Sequence, residues 1–262
     1  SYGMVTDDRD GQTYKTVTVG TQTWMAENLN YAYKGVKYYY SGYTSDSTGW
    51  CYDNKSSNCE KYGRLYTWAA AMDSAGLVDP AGAGVGCGYG GTCSAGGTVR
   101  GICPEGWHLP TKSEWETLFT VVGGTSKAGD MLKSTSGWNS GGNGIDEYEF
   151  SVLPAGFMGY DGAFFLEGYY VHFWSSTGYN GSRAWGMFFY YDSSNVDENN
   201  YYKDCGFSVR CLKDDPGSSA KSSSSVASSS SAKSSSSVAS SSSISYGMVT
   251  DDRDGQTYKT VT

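Results

Sequence analysis

The sequence predicts an α+β domain with two main helices, short antiparallel strands and long disulfide-tied loops, and three observations predict it. Thr111 and Glu114 have the spacing of a capping box, and Trp115, Leu118, Phe119 and Val122 then repeat as one apolar helix face. Runs such as 14–19, alternating apolar and polar side chains, read as half-buried strands. Thirty-six glycines and 23 tyrosines, with few leucines, favour turns and short strands over long helices.

In chain order, residues 4–6 and 14–19 flank an Asp8-Arg9-Asp10-Gly11 turn and form a hairpin. Residues 24–30 continue as a strand and its exit, and 38–49 form an aromatic, glycine- and serine-rich loop. Residues 63–75 read as the first helix, with Leu65, Trp68, Ala69 and Met72 on one face. Residues 76–102 are a long glycine-rich loop, tolerable where a crosslink restrains it. Pro110 holds the approach to the 111–122 helix extended, and Gly123-Gly124 stops that helix. Residues 127–133 predict a short helix; 148–153, 169–174, 184–191 and 206–212 predict strands. Trp68, Trp107, Trp115, Trp174 and Trp185 are assigned to the core.

A net charge of −8 without a basic stripe disfavours nucleic acid, since nothing offsets phosphate repulsion. No run of ~20 apolar residues suggests a membrane span. The chain shows no signal peptide and starts inside a motif, as a mature fragment or a piece of something longer does. Cysteines stand at 51, 59, 87, 93, 103, 205 and 211. Their spacings are not those of zinc pairs, and only His108 and His172 could add imidazole. They read better as disulfides in an oxidising compartment. Cys51–Cys59 and Cys87–Cys93 would each close a small loop; Cys205 is left unpaired, exchanged or joined between chains.

The ends are the most informative. Residues 245–262 repeat residues 1–18 without a change, at an offset of 244. A second repeat, 220–231 and 232–243, lies between them. The expected organisation is a globular domain over 1–215, a Ser/Ala-rich linker over 216–244, and the start of the next unit over 245–262. The linker buries nothing that offsets chain entropy. Its residues 218–243 reach at most roughly 90 Å when fully extended. Serine density suits O-glycosylation at Ser222, Ser223, Ser224, Ser225, Ser228, Ser229, Ser230, Ser231, Ser234, Ser235, Ser236, Ser237, Ser240, Ser241, Ser242 and Ser243, which would stiffen the tether.

Each candidate site has a plainer reading. Asp8, Asp10 and Gly11 offer oxygens to calcium, but the loop lacks the further acids, and a plain hairpin turn is preferred. The acidic run Asp192, Asp197, Glu198 and Asp204 reads as a solvated loop, and no metal or other cofactor is expected. Tyr38, Tyr39, Tyr40, Tyr43 and Trp50 could stack on sugar rings, as could Tyr160, Tyr179 and Trp138 in other loops; packing and contact between beads is the competing reading. Catalysis has little support: His108 reads as structural, His172 alternates within an aromatic strand, and no nucleophile elbow appears. Sequons stand at Asn54 and Asn180.

Four segments carry a resemblance. They are Asp8-Arg-Asp-Gly-Gln-Thr-Tyr-Lys-Thr-Val17 with Trp24-Met-Ala-Glu-Asn-Leu29; Tyr62-Gly-Arg-Leu-Tyr-Thr-Trp-Ala-Ala-Ala-Met72; Cys103 to Leu118; and Gly206-Phe-Ser-Val-Arg-Cys-Leu-Lys213. In this order the chain resembles the Fibrobacter succinogenes major paralogous domain, a bacterial surface domain related to C-type-lectin-like and formylglycine-generating-enzyme-like folds. The resemblance covers the whole globular part. It implies a lectin-like fold in which first and last strands lie side by side, bringing Met4 near Leu212. It also implies a long bridge, Cys103–Cys211, worth about 4 kcal/mol in the chain-entropy model. Formylglycine-generating enzymes use two nearby cysteines as a copper and redox site; Cys205 and Cys211 are the only pair similar to it, and Cys211 falls at the wrong position. The Glu-Pro-Asn and Gln-Pro-Asp sugar signatures of true C-type lectins are absent.

The expected function is therefore a structural repeat of an extracellular bacterial surface protein or filament: adhesive beads on glycosylated linkers, meeting neighbouring copies of themselves. A carbohydrate-binding module attaching cells to polysaccharide is the alternative, and a copper oxidase a distant third. An enzyme is not expected.

Overall fold

The computed structural model describes residues 2–35, 48–93 and 97–215, together with the backbone of Tyr246–Thr250 and Thr257–Val261. The chain divides into two compact units, Ser1–Ser219 and Ala220–Thr262. The first is α+β, with four α-helices among its described residues and mostly antiparallel strands.

Its opening strands are β1 (Gly3–Thr6), β2 (Thr13–Val19) and β3 (Gln22–Met25). β1 and β2 form a hairpin with Met4 opposite Lys15 and Val5 opposite Tyr14. The turn satisfies itself: Asp7 accepts from the Arg9 backbone and guanidinium, and Asp10 accepts from Gln12. β2 buries Tyr14 and Thr16 from one face of the strand and Val17 and Val19 from the other, Tyr14 in one core cluster and the two valines in the second, and leaves Lys15 and Thr18 exposed. Completing this sheet are β6 (Trp107–His108) and β13 (Leu212–Lys213), in the order β1-β2-β3-β13-β6. Leu212 therefore pairs with Trp24 on one side and His108 on the other. Met4 does not meet Leu212, contrary to the lectin-like expectation: β1 is the outer edge, two strands removed, because the hairpin folds back onto β3 before the last strand arrives.

The second sheet has the order β11-β10-β9-β12-β5-β4. Its members are β4 (Gly49–Trp50), β5 (Leu65–Tyr66), β9 (Tyr170–Gly178), β10 (Arg183–Tyr190), β11 (Val196–Tyr202) and β12 (Phe207–Ser208). Strand alternation sends Val171 and Phe173 to one face and His172 and Trp174 to the other, each into its own core cluster. A small hairpin, β7 (Phe157–Met158) with β8 (Phe164–Phe165), stands beside it.

The helix α3 (Lys112–Val121) has its capping box: Thr111 Oγ1 accepts from Glu114 N at 3.2 Å, and Glu114 returns a carboxylate to Thr111 N at 2.7 Å. Trp115 is fully buried, 4.6 Å from Trp24 and 5.4 Å from Phe173 between ring centroids, so this helix joins the two sheets. α4 (Thr125–Leu132) follows after Gly123-Gly124.

Several expectations are corrected. The 63–75 helix shrinks to α2 (Trp68–Ala71), capped by Thr67, because 65–66 are taken into the sheet and Asp73, at φ 55°, ends it. The Asp73 carboxylate accepts from the amides of Leu77, Val78 and Asp79 and from Tyr33, and so reverses the chain. An unexpected helix, α1 (Ser56–Tyr62), precedes it; it lacks an apolar stripe and is crosslinked through Cys59. Gly63 closes α1 at φ 73°, where a Cβ would lie 2.8 Å from two backbone oxygens. Residues 148–153 are not a strand. Asp146, Glu149 and Ser151 have positive φ, and the Asp146 carboxylate holds the turn by accepting from Ser151 N at 2.7 Å. Residues 206–212 split into β12 and β13, one in each sheet. Asp197 and Glu198 belong to strand β11 rather than a loop. Trp185 is only half-buried, whereas the other four assigned tryptophans are core. Trp138 is likewise buried, donating to Val152 O.

In the second unit, β14 (Tyr246–Thr250) pairs with β15 (Thr257–Val261). Met248 faces Lys259 and Val249 faces Tyr258. Shifted by the repeat offset, these are the same partners as in β1–β2.

Candidate functional site

Three of the four recognised segments converge on one buried node. Arg210 is 1 % exposed, and it donates from Nη2 and Nε to Asn28 Oδ1 at 2.7 and 3.2 Å. It also donates to the carbonyls of Phe150 and Ser151, and its guanidinium lies over the rings of Phe150 and Phe173. Asn28 in turn donates to Tyr62 O at 2.8 Å. No carboxylate pairs with Arg210 among the described residues; burial pushes its pKa down, and neutral acceptors and ring faces carry the charge. Above this node opens a polar cleft of about 360 Å³, lined by Glu27, Asn30, Lys61, Ser134 and Asp146 among others. Much of its polarity is already engaged within the chain: Glu27 accepts from Lys15 N, Asp146 accepts from Ser151, and Ser134 donates to Ser136 O. The node stitches the first sheet to the 150–151 turn and needs no ligand to be satisfied.

His108 sits between two carboxylates. Its Nδ1 lies 2.7 Å from Asp214 and its Nε2 3.1 Å from Glu114. Only an imidazolium donates to both at once. Burial by itself would lower the His108 pKa, but hydrogen bonds and charge from Glu114 and Asp214 outweigh it and hold the pKa above its ordinary value. Burial would likewise raise Glu114, yet His108 and Thr111 hold it low. The signs then follow. The raised histidine contributes stability fully present below its ordinary 6.5 and lost as pH rises through the folded value. The depressed glutamate contributes stability present above its ordinary 4.5 and lost as pH falls through the folded value. Thermal unfolding across pH is expected to show a plateau between these limits, and His108→Gln should flatten its alkaline shoulder. An unchanged shoulder in that variant would refute the assignment.

The outer part of β10 and β11 carries a row of aromatics. The register sets Arg183 opposite Tyr202 and Trp185 opposite Asn200. The Arg183 guanidinium lies 4.5 Å from the Tyr202 ring centroid, and Trp185 meets Tyr179 edge-on at 5.5 Å. Tyr160, from the loop of the β7–β8 hairpin, adds a contact to Tyr202 at 6.0 Å. Tyr160 and Tyr179, candidates in the sequence, are thus brought to one surface. Trp185 and Tyr202 carry no local signal of this surface in the sequence; pairing across strands brings them to it. Of the first aromatic cluster, Tyr38, Tyr39, Tyr40 and Tyr43 lie outside the described residues. Trp50 packs half-buried against Tyr52, Leu65 and Met158. The serines at 222–243 also lie outside the described residues.

Disulfides join Cys51 to Cys59, Cys87 to Cys93 and Cys103 to Cys211. Cys205 is free and buried. Burial and the neighbouring Asp204 push its thiol pKa up, so it is a poor nucleophile. With Cys211 committed to Cys103, no two-thiol copper site remains at 205 and 211. His172 is buried among Phe157, Phe188 and Phe207, and desolvation lowers its pKa to about 3, leaving it neutral. Lys203 is buried over Trp68 and donates to the carbonyls of Gly88, Gly91 and Gly181, restraining the glycine-rich loop. Among the described residues no three His, Cys, Asp or Glu converge as metal ligands, and no helix is long and apolar enough to cross a membrane.

No curated protein and no solved structure matches this chain. The sequence model described as the Fibrobacter succinogenes major domain matches residues 17–213, a span holding the Asn28–Arg210 node, His108 with Glu114, and all three bridges. The chain belongs to the Fibrobacter succinogenes major domain family.

Proposed function

We propose that this chain is a structural repeat of an extracellular surface protein: crosslinked, lectin-like beads carried on Ser-rich, O-glycosylated tethers, with adhesion gained by avidity across many beads. The observation that carries this reading is the copied hairpin. Eighteen residues recur unchanged, and β14–β15 takes the register of β1–β2. Identical beads make identical contacts, which is how a chain propagates as a filament or layer. Three bridges in an acidic, glycine-rich unit suit an oxidising exterior. The long bridge from the approach to α3 to the last sheet strand supports the lectin-like description, although the edge position of β1 departs from it. No part of this reading requires catalysis.

Limited trypsin digestion tests it. Lys221 and Lys233 lie in the tether, while Lys133 and Lys203 are buried in the bead. The expected products are a resistant bead and tether peptides carrying sugar on the serines named above. Beads degraded as readily as the tether, or tether peptides of unmodified mass from native material, would contradict it.

A second reading, a carbohydrate-binding module, is favoured by one observation: Tyr160, Tyr179 and Tyr202 are exposed around the Arg183 end of β10 and β11. In that case adhesion is a property of each bead as well as of the array.

A further inference from the structure

We propose that the end of the β10–β11 pair, where Arg183 faces Tyr202, binds a carboxylated polysaccharide; this rests on the adhesive reading and gives it a ligand. Sugar rings present apolar C–H faces that stack on aromatic rings, while their hydroxyls and carboxylates need hydrogen-bond partners around those rings. The row supplies both. Tyr179, Tyr160 and Tyr202 are 53, 45 and 36 % exposed, so ring surface is available for contact. Trp185 is half-buried between Tyr179 and the Lys112 ammonium, which fixes its plane. Along β10, Arg183 and Trp185 are two residues apart and therefore on the same face, roughly 7 Å from each other.

The charge at this face selects the ligand. Lys112 is neutralised by Glu116 and Glu198. Arg183 is not: it donates to the neutral oxygens of Asn200 and Tyr202 at 3.3 and 3.1 Å and forms no ion pair among the described residues. A guanidinium has five N–H donors in a planar fork that fits a carboxylate. Those two bonds leave three N–H groups unused, on a cation already oriented by the Tyr202 ring. Asn200 adds an amide beside it. On a chain of net charge −8, an uncompensated arginine framed by exposed rings is complementary to an acidic glycan, and repulsion elsewhere keeps that glycan from binding indiscriminately.

The test is binding of the full chain to polygalacturonate, with hydroxyethyl cellulose as the uncharged arm, by calorimetry or affinity electrophoresis. Binding to polygalacturonate is expected, weakening as salt is raised. Arg183→Gln should weaken it roughly tenfold, the size of a lost charge-assisted bond. Tyr202→Ala should weaken it several-fold at least, and Lys61→Gln, a cation on the helix after the opposite edge strand, should leave it unchanged. Near-ultraviolet dichroism and unfolding midpoint confirm that each variant is folded. Equal affinity for hydroxyethyl cellulose, binding untouched by both β10–β11 substitutions, or no binding at millimolar sugar overturns the proposal. None of these outcomes touches the repeat-unit reading, which proteolysis and mass decide separately.

Discussion

Replacing Arg210 with Met should destabilise the bead by about 3–5 kcal/mol, because a side chain of similar length leaves two buried acceptors and one part-buried acceptor without donors. Those acceptors are Asn28 Oδ1 and the carbonyls of Phe150 and Ser151. For a domain of this size the unfolding midpoint should fall by roughly 10 °C or more. Arg210→Lys is not expected to rescue, since one ammonium cannot span the positions that the planar fork reaches. Asn28→Ala should cost about as much for the converse reason: it strands a buried charge. The double variant should then lose less than the sum of the singles, by about 1–3 kcal/mol, because both remove the same bonds. Denaturant melts of the four proteins check this. A methionine variant within about 0.5 kcal/mol of wild type would show that ring packing against Phe150 and Phe173, rather than hydrogen bonding, holds the node.

Removing the Cys103–Cys211 bridge should cost about 4–5 kcal/mol, against about 2.5 kcal/mol for either short bridge, if loop closure in the unfolded chain dominates. The sequence separations are 108, 8 and 6 residues. Location reinforces the ranking. Cys211 precedes Leu212, which pairs with both β3 and β6, and Cys211 O accepts from Met25 N at 3.0 Å. Cutting the bridge therefore frees the strand that joins β6 to the rest of the first sheet. Paired alanine variants, compared by unfolding midpoint, should follow that order. A long-bridge variant no less stable than a Cys51/Cys59 variant would contradict the ranking.

What could be read in the sequence, and what could not, divides by the range of the interaction. The capping box at Thr111 and Glu114 and the β1–β2 hairpin are encoded within a few residues, and both form as their spacing implies. The 63–75 stretch has helical periodicity, but Leu65 and Tyr66 gain more by completing the sheet between β4 and β12. β11 reads as an acidic loop because it is an edge strand with little to bury; only pairing with β10 makes it a strand. The His108 clamp joins residues six and 106 positions away, and the aromatic row depends on a cross-strand register. Neither is written in any local pattern. The Cys103–Cys211 pairing is legible through the family resemblance, whereas the Arg210 node has no local signature: Asn28, Tyr62 and Arg210 stand inside the resembling segments but Phe150, Ser151 and Phe173 do not.

The measurement that bears most directly on the central claim is the mass of the native polypeptide, before and after trypsin. The account predicts masses that rise in steps of one 244-residue period plus sugar, collapsing on digestion to a single resistant species whose three bridges are oxidised and whose Cys205 is reduced. A native mass equal to one period, unchanged in oligomeric state and free of sugar, would contradict it.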